Sequence, residues 1–170
     1  MFRRLVFLAL ILLVAGVVYQ VLAPPPVPTT VPEEEVFYIY LASPDGTRLL
    51  PVVRDLGEEV TPRRLLTELL EGPRQGEHGI LPVPAGTQVR SIAITDGIAY
   101  VDFSSELITD HWGGTTGELA TVYAIVNTLA QLPGIDKVQI LVGGREIETL
   151  AGHVDLSQPL APDMTLVAPR

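Results

Sequence analysis

Residues 89–103 read VRSIAITDGIAYVDF, two runs of β-branched and aromatic residues divided by Asp96-Gly97. An Asp-Gly pair takes positive φ at both central turn positions readily, so the stretch predicts a β-hairpin with a two-residue type I′ turn. Pairing Thr95 with Ile98 sets its register. Ile92, Ile94, Ala99, Val101 and Phe103 then share one face, and Ser91, Ala93, Thr95, Tyr100 and Asp102 share the other with Ile98. One face is apolar and the other mixed, which suits a sheet covered by helices on a single side.

Working outward, Val36 to Leu41 alternates Phe37, Ile39 and Leu41 with Tyr38 and Tyr40, a strand pattern. Ser43-Pro44-Asp45-Gly46 makes a turn and Arg48 to Arg54 returns. Pro51 lacks an amide hydrogen, so this second strand belongs at a sheet edge. Thr61-Pro62 and Gly72-Pro73 bracket a helix whose Leu65, Leu66, Leu69 and Leu70 form one apolar face. Gly72 to Gly86, with four glycines and three prolines, reads as a long loop of the kind that is more often functional or mobile than accidental. Beyond the hairpin, Thr115 and Glu118 have capping-box spacing and predict a helix running to Leu132. Its buried stripe is Leu119, Val122, Tyr123, Val126, Leu129 and Ala130. Asp136 to Val142 follows as a strand and Gly143-Gly144 ends it. The expected fold is α+β, a mixed or antiparallel sheet of about five strands with two helices packed on one face.

The N-terminus reads differently. Residues 5–23, LVFLALILLVAGVVYQVLA, are almost wholly apolar and follow Arg3 and Arg4. As a helix they reach roughly 28 Å, close to the hydrocarbon thickness of a bilayer. The positive-inside rule keeps the arginines in the cytoplasm and puts the C-terminal domain outside, as a single-pass cell-membrane protein. The rival reading is secretion after signal cleavage, because Val21-Leu22-Ala23 offers small residues to a signal peptidase. Residues 24–35, PPPVPTTVPEEE, form a proline-rich spacer.

Composition narrows the chemistry. The chain carries 11 basic and 20 acidic residues, a net charge of −9, which argues against nucleic acid as a partner. Cysteine is absent, so no disulfide, thiolate chemistry or lipid attachment through cysteine is available, and the anchor is the peptide itself. His78, His111 and His153 fall in predicted loops without metal-ligand spacing, and no H-x-x-x-H, P-loop or G-x-S-x-G stretch occurs. Asp102, Ser104, Ser105, Glu106, Asp110 and His111 hold the residue types of a hydrolase triad, yet they read more simply as a strand end followed by a loop. No cofactor is expected, and the chain reads as a non-enzyme. Tyr38, Tyr40 and Tyr100 reflect strand propensity first and an aromatic platform second. Trp112, the sole tryptophan, is a loop aromatic that either plugs the core or anchors a contact.

The linear pattern as a whole resembles the GerMN domain of bacterial sporulation and spore germination proteins. It is carried by Val36 to Leu41, Leu69-Leu70-Glu71-Gly72-Pro73, Val83-Pro84-Ala85-Gly86-Thr87, Ile94 to Ser104, Glu118, Asn127-Thr128-Leu129 and Val138 to Gly144. The extent is 1–23 anchor, 24–35 spacer, 36–150 GerMN-like domain and 151–170 C-terminal extension. The resemblance implies a fold similar to the ring-building domains of envelope assemblies and a non-enzymatic scaffold or interaction module, in sporulation or germination. A peptidoglycan or small-ligand binding module is the alternative. Envelope proteins, peptidoglycan and further copies of the chain are the partners this leaves. Tyr100, Asp102, Trp112, His78 and Pro84 are the candidate interaction residues.

Overall fold

The fold is described from a computed structural model over residues 36–57 and 60–169. The expected anchor 1–23 and spacer 24–35 lie outside the described residues. Among the described residues no helix is long and apolar enough to cross a membrane.

β1 (Phe37–Ala42) and β2 (Leu49–Arg54) pair antiparallel from Phe37 opposite Arg54 to Ala42 opposite Leu49. β3 (Val89–Thr95), β4 (Ile98–Phe103), β5 (Lys137–Val142) and β6 (Arg145–Glu146) form a second sheet in that spatial order. Its pairings run antiparallel, parallel, antiparallel. The described residues also hold three α-helices, α1 (Pro62–Glu71), α2 (Glu106–Thr109) and α3 (Thr115–Leu129), and one 3-10 turn, Met164–Leu166. The expectation of one sheet of about five strands and two helices is therefore corrected to two sheets and three helices.

The edges of the small sheet explain why it stays separate. On β1 the outward backbone groups of Tyr38 are taken by the Gln131 amide, which accepts from Tyr38 N at 2.8 Å and donates to Tyr38 O at 2.6 Å. Those of Ala42 are taken by Ile80 through a pair of backbone bonds. A side-chain amide thus occupies the place of a neighbouring strand. On β2 the outward carbonyl of Leu49 accepts from Ala168 N at 2.8 Å. By strand alternation Pro51 also faces outward, where its missing N–H costs no bond to β1 and obstructs a further strand.

The hairpin forms in the expected register, with Thr95 opposite Ile98 and positive φ at Asp96 (50°) and Gly97 (77°). Ala99, Val101 and Phe103 are fully buried, but Ile94 on the same face, on the edge strand β3, is 48% exposed. In α1 the Thr61 hydroxyl accepts from Arg64 N, and Leu65, Leu66 and Leu69 are fully buried. Each contributes about 2 kcal/mol by removal from water.

α3 departs from its expected pattern. Gly114 is its N-cap without any side-chain bond, and the helix ends at Leu129, not Leu132. Leu119 and Tyr123 are only half-buried, whereas Ala120, Thr121, Ala124 and Ile125 are buried along with Val122, Val126 and Leu129. The helix packs on β1, α1 and β5 together, so it is covered over most of its circumference and a one-sided stripe does not describe it.

The capping-box role of Glu118 is corrected as well. Its carboxylate is fully buried and accepts from Thr149 Oγ1, from Leu150 N at 2.8 Å, from Ala151 N at 3.0 Å and from His153 N at 2.8 Å. Burial alone raises its pKa, but these donors outweigh burial and hold it below the ordinary glutamate value. The chain after β6 is thereby fastened to the start of α3. It continues to Leu160, which exchanges two backbone bonds of 2.9 Å with Val138 on β5, and to Asp163, gripped by the Asn127 amide at 2.9 and 3.0 Å. It ends against Leu49 of β2 and so links the two sheets.

Glu118→Gln keeps the side-chain size but turns an amide toward backbone N–H groups that need an acceptor. It is expected to lower the unfolding free energy by about 2 kcal/mol at neutral pH, the scale of bonds to a charged acceptor. A carboxylate whose folded pKa is depressed stabilises above its unfolded pKa and loses that contribution as pH falls through the folded one. Urea unfolding midpoints should therefore fall more steeply in the parent than in the variant below about pH 4.3, the ordinary glutamate value.

Candidate functional site

The segment between α2 and α3, Asp110 to Gly114, carries the one large aromatic that is exposed among the described residues. Trp112 is 54% exposed. Its ring stacks on His111 with centroids 5.0 Å apart and planes 17° from parallel. His111 is held from both ring nitrogens. Nδ1 accepts from Gly113 N at 3.0 Å, so Nε2 carries the hydrogen and donates to Thr121 Oγ1 at 3.1 Å. Thr121 in turn donates to Pro82 O at 2.5 Å. Burial depresses the His111 pKa, with the Glu118 charge acting in the opposite sense, which agrees with a neutral ring in this network.

The indole is held on its other side by α3. A Cβ at Gly117 would lie 2.5 Å from Trp112 Nε1, so the close approach exists only because position 117 has no side chain. The ring is exposed yet packed against both His111 and Gly117. A contact made by a ring that is already ordered loses little conformational entropy on binding.

The loop 72–86, expected to be functional or mobile, is pinned along its length. Arg54 is buried at the end of β2 and binds the Glu77 carboxylate through both terminal nitrogens and Gly72 O at 3.1 Å. Its Nε lies 3.2 Å from Glu68, an ion pair whose angle falls short of a hydrogen bond. The hydrogen bond from Arg54, supported by Arg74 N, holds Glu77 below the ordinary glutamate pKa. Ile80 and Pro82 supply the backbone bonds to β1 and α3 already described. Pro84 is buried, which removes its ring from any contact surface. His78 is exposed and lines an open, mainly apolar groove of about 330 Å³ with Pro51, Glu77 and Pro169.

Tyr100 and Asp102 stand on the opposite face of β4 from Val101, away from this network by strand alternation. Tyr100 is half-buried. Asp102 is buried, accepts from Gly144 N at 2.7 Å and lies 3.6 Å from Arg90 Nε, so it supports the turn into β6. Ser104 accepts from Gln88 N. Among the described residues no hydrogen bond joins Asp102, Ser104 and His111 in a relay. Of the candidate residues, the structure leaves Trp112 and His78 open to a partner. His111, Thr121 and Gly117 were missed as parts of the Trp112 platform. The adjacent His-Trp pair is a signal for the stack, but Thr121 acts through a residue 39 positions away.

Gly117→Ala places a methyl where the indole edge now lies. Fluorescence of the single tryptophan should shift to the red and His111 should lose its stack. Replacing glycine in a helix gains up to about 1 kcal/mol, so the unfolding midpoint should not drop with the spectral change.

Comparison with known proteins places this arrangement in a family. The model of the Germane family, described as sporulation and spore germination, matches residues 38–148. Solved structures share the fold, among them the following three. A "putative lipoprotein" from Clostridium perfringens is 26% identical, with a TM-score of 0.55 over 79% of this chain and 91% of that one. The tandem GerMN domains of the sporulation protein GerM from Bacillus subtilis align at 22% identity, with a TM-score of 0.59 over 75% of this chain and 46% of that one. The first GerMN domain of the same protein aligns at 23% identity, with a TM-score of 0.56 over 76% and 96%. No curated protein matches the sequence. The family match spans well over half of the chain and agrees with the resemblance carried by its linear pattern, and the chain belongs to the Germane, or GerMN-domain, family of sporulation and spore germination.

Proposed function

We propose that this protein is a membrane-anchored, extracytoplasmic scaffold of the bacterial envelope, in sporulation or germination, that works by protein contact and not by catalysis. The observation that carries the contact role is Trp112, a large aromatic kept in solvent and packed against His111 and Gly117. Aromatic side chains of this kind are the usual centres of protein interfaces. Support for the location comes from the apolar run 5–23 behind Arg3 and Arg4, and from the C. perfringens protein named a "putative lipoprotein". With no cysteine to carry a lipid, residues 5–23 take over the anchoring and residues 24–35 hold the domain away from the bilayer.

Deleting residues 1–23 is expected to move the protein from the membrane fraction to the soluble fraction of its host; retention in membranes would reject anchoring by this segment. A photo-reactive residue at position 112 of the full chain should capture envelope proteins reproducibly, and Trp112→Ala should weaken their co-purification. Capture of muropeptides alone would move the reading to wall binding.

A further inference from the structure

β3 is an edge strand, and its two ends are managed differently. Thr95 and Ile98 flank a two-residue turn and form a hydrogen-bonded pair, so Thr95, Ala93 and Ser91 bond to β4 while Ile92 and Ile94 point their N–H and C=O groups outward. At the beginning of the strand a bulge places Arg90 and Ser91 together opposite Asp102. There Arg63 of α1 covers the edge, donating to Val89 O at 2.9 Å and to Arg90 O at 3.3 Å. Among the described residues no proline, charge or side-chain cap covers the edge at Ile92 and Ile94. Ile94 is 48% exposed on it, and Ile92 is half-buried. A bare, apolar edge of this kind is a template for another strand.

We propose that the β3 edge pairs antiparallel with β3 of a second copy of this chain, Ile92 of each opposite Ile94 of the other. Strand geometry and charge select both the register and the partner. Ile92 and Ile94 are the residues with complete outward donor and acceptor sets, so placing them opposite each other closes four backbone bonds with none left over. The same register sets Ser91 opposite Thr95 and Ala93 opposite Ala93 on the two-fold axis. It brings Asp96, exposed at the hairpin tip, to the arginine end of the other strand, beside Arg90 and Arg63, and symmetry repeats this contact. Shifting to Ile92 opposite Ile92 sets Ile94 against Arg90, whose carbonyl Arg63 already holds, and gives up the charge match. A self-complementary patch with opposite charges at its two ends is what a two-fold contact requires. This pairing goes beyond the Trp112 contact and is independent of it.

The natural absence of cysteine makes the register directly testable. In the proposed pair the two Ala93 residues form a non-hydrogen-bonded pair with Cα atoms about 4.5 Å apart, inside the range a disulfide spans. Ala93 is exposed, so Ala93→Cys leaves the core untouched. Full-length A93C in host membranes, oxidised with copper–phenanthroline, should give a covalent dimer in many times the yield of Val53→Cys, an exposed control on β2. Adding Ile94→Lys, an exposed charge on the edge, should abolish that dimer. Ser91→Cys and Thr95→Cys should crosslink when co-expressed and much less when each is alone. Equal yields from A93C and V53C, a dimer that survives I94K, or A93C adducts only with other proteins would each overturn the proposal. Loss of Trp112 contacts with the A93C dimer intact would reject the scaffold reading alone.

Discussion

One buried carboxylate holds the C-terminal half of this domain in place. Glu118 sits in the first turn of α3 and gathers one hydroxyl and three backbone N–H groups from Thr149, Leu150, Ala151 and His153. Removing an ionised group from water is costly, and the cost is met here by a near-complete shell of donors. The chain direction this imposes carries the following residues back along β5 and then to β2. The C-terminal segment thus bridges two sheets that share no strand, held in turn at Glu118, Val138, Asn127 and Leu49.

Closure without strands is the second theme. The Gln131 amide stands in for a strand beside Tyr38, Pro51 withholds a donor on β2, and Arg63 covers the first carbonyls of β3. Each device stops sheet growth at a chosen point. Among the described residues the stretch at Ile92 and Ile94 has no such device.

How much of this can be read from the chain depends on distance along it. The Asp96-Gly97 turn, the Thr61 cap and the Gly72 stop act through neighbours, and their elements lie where local rules put them. Glu118 looked like a helix cap because Thr115 has the right spacing, yet its partners lie more than 30 residues away and leave no local trace. The division into two sheets was hidden for the same reason, since it turns on Gln131 reaching Tyr38 across 93 residues. At the site, the exposure of Trp112 followed from no pattern. It depends on Gly117 in the first turn of α3 and on Thr121 reaching the loop at Pro82, and Pro84, which looked like loop surface, is buried beside Val83.

The course of the last residues also bears on the order of events as the chain is made. β1 and β2 are among the first described segments to emerge from the ribosome, but the outward carbonyl of Leu49 meets its partner only when Ala168 arrives. Val138 waits similarly for Leu160. Contacts that span so much of the sequence bear their loop-closure cost before they return any stability, and they slow folding. The outward groups of Leu49 and Val138 are therefore satisfied only once residues 160–168 have reached them, whatever the hairpins and helices have formed before.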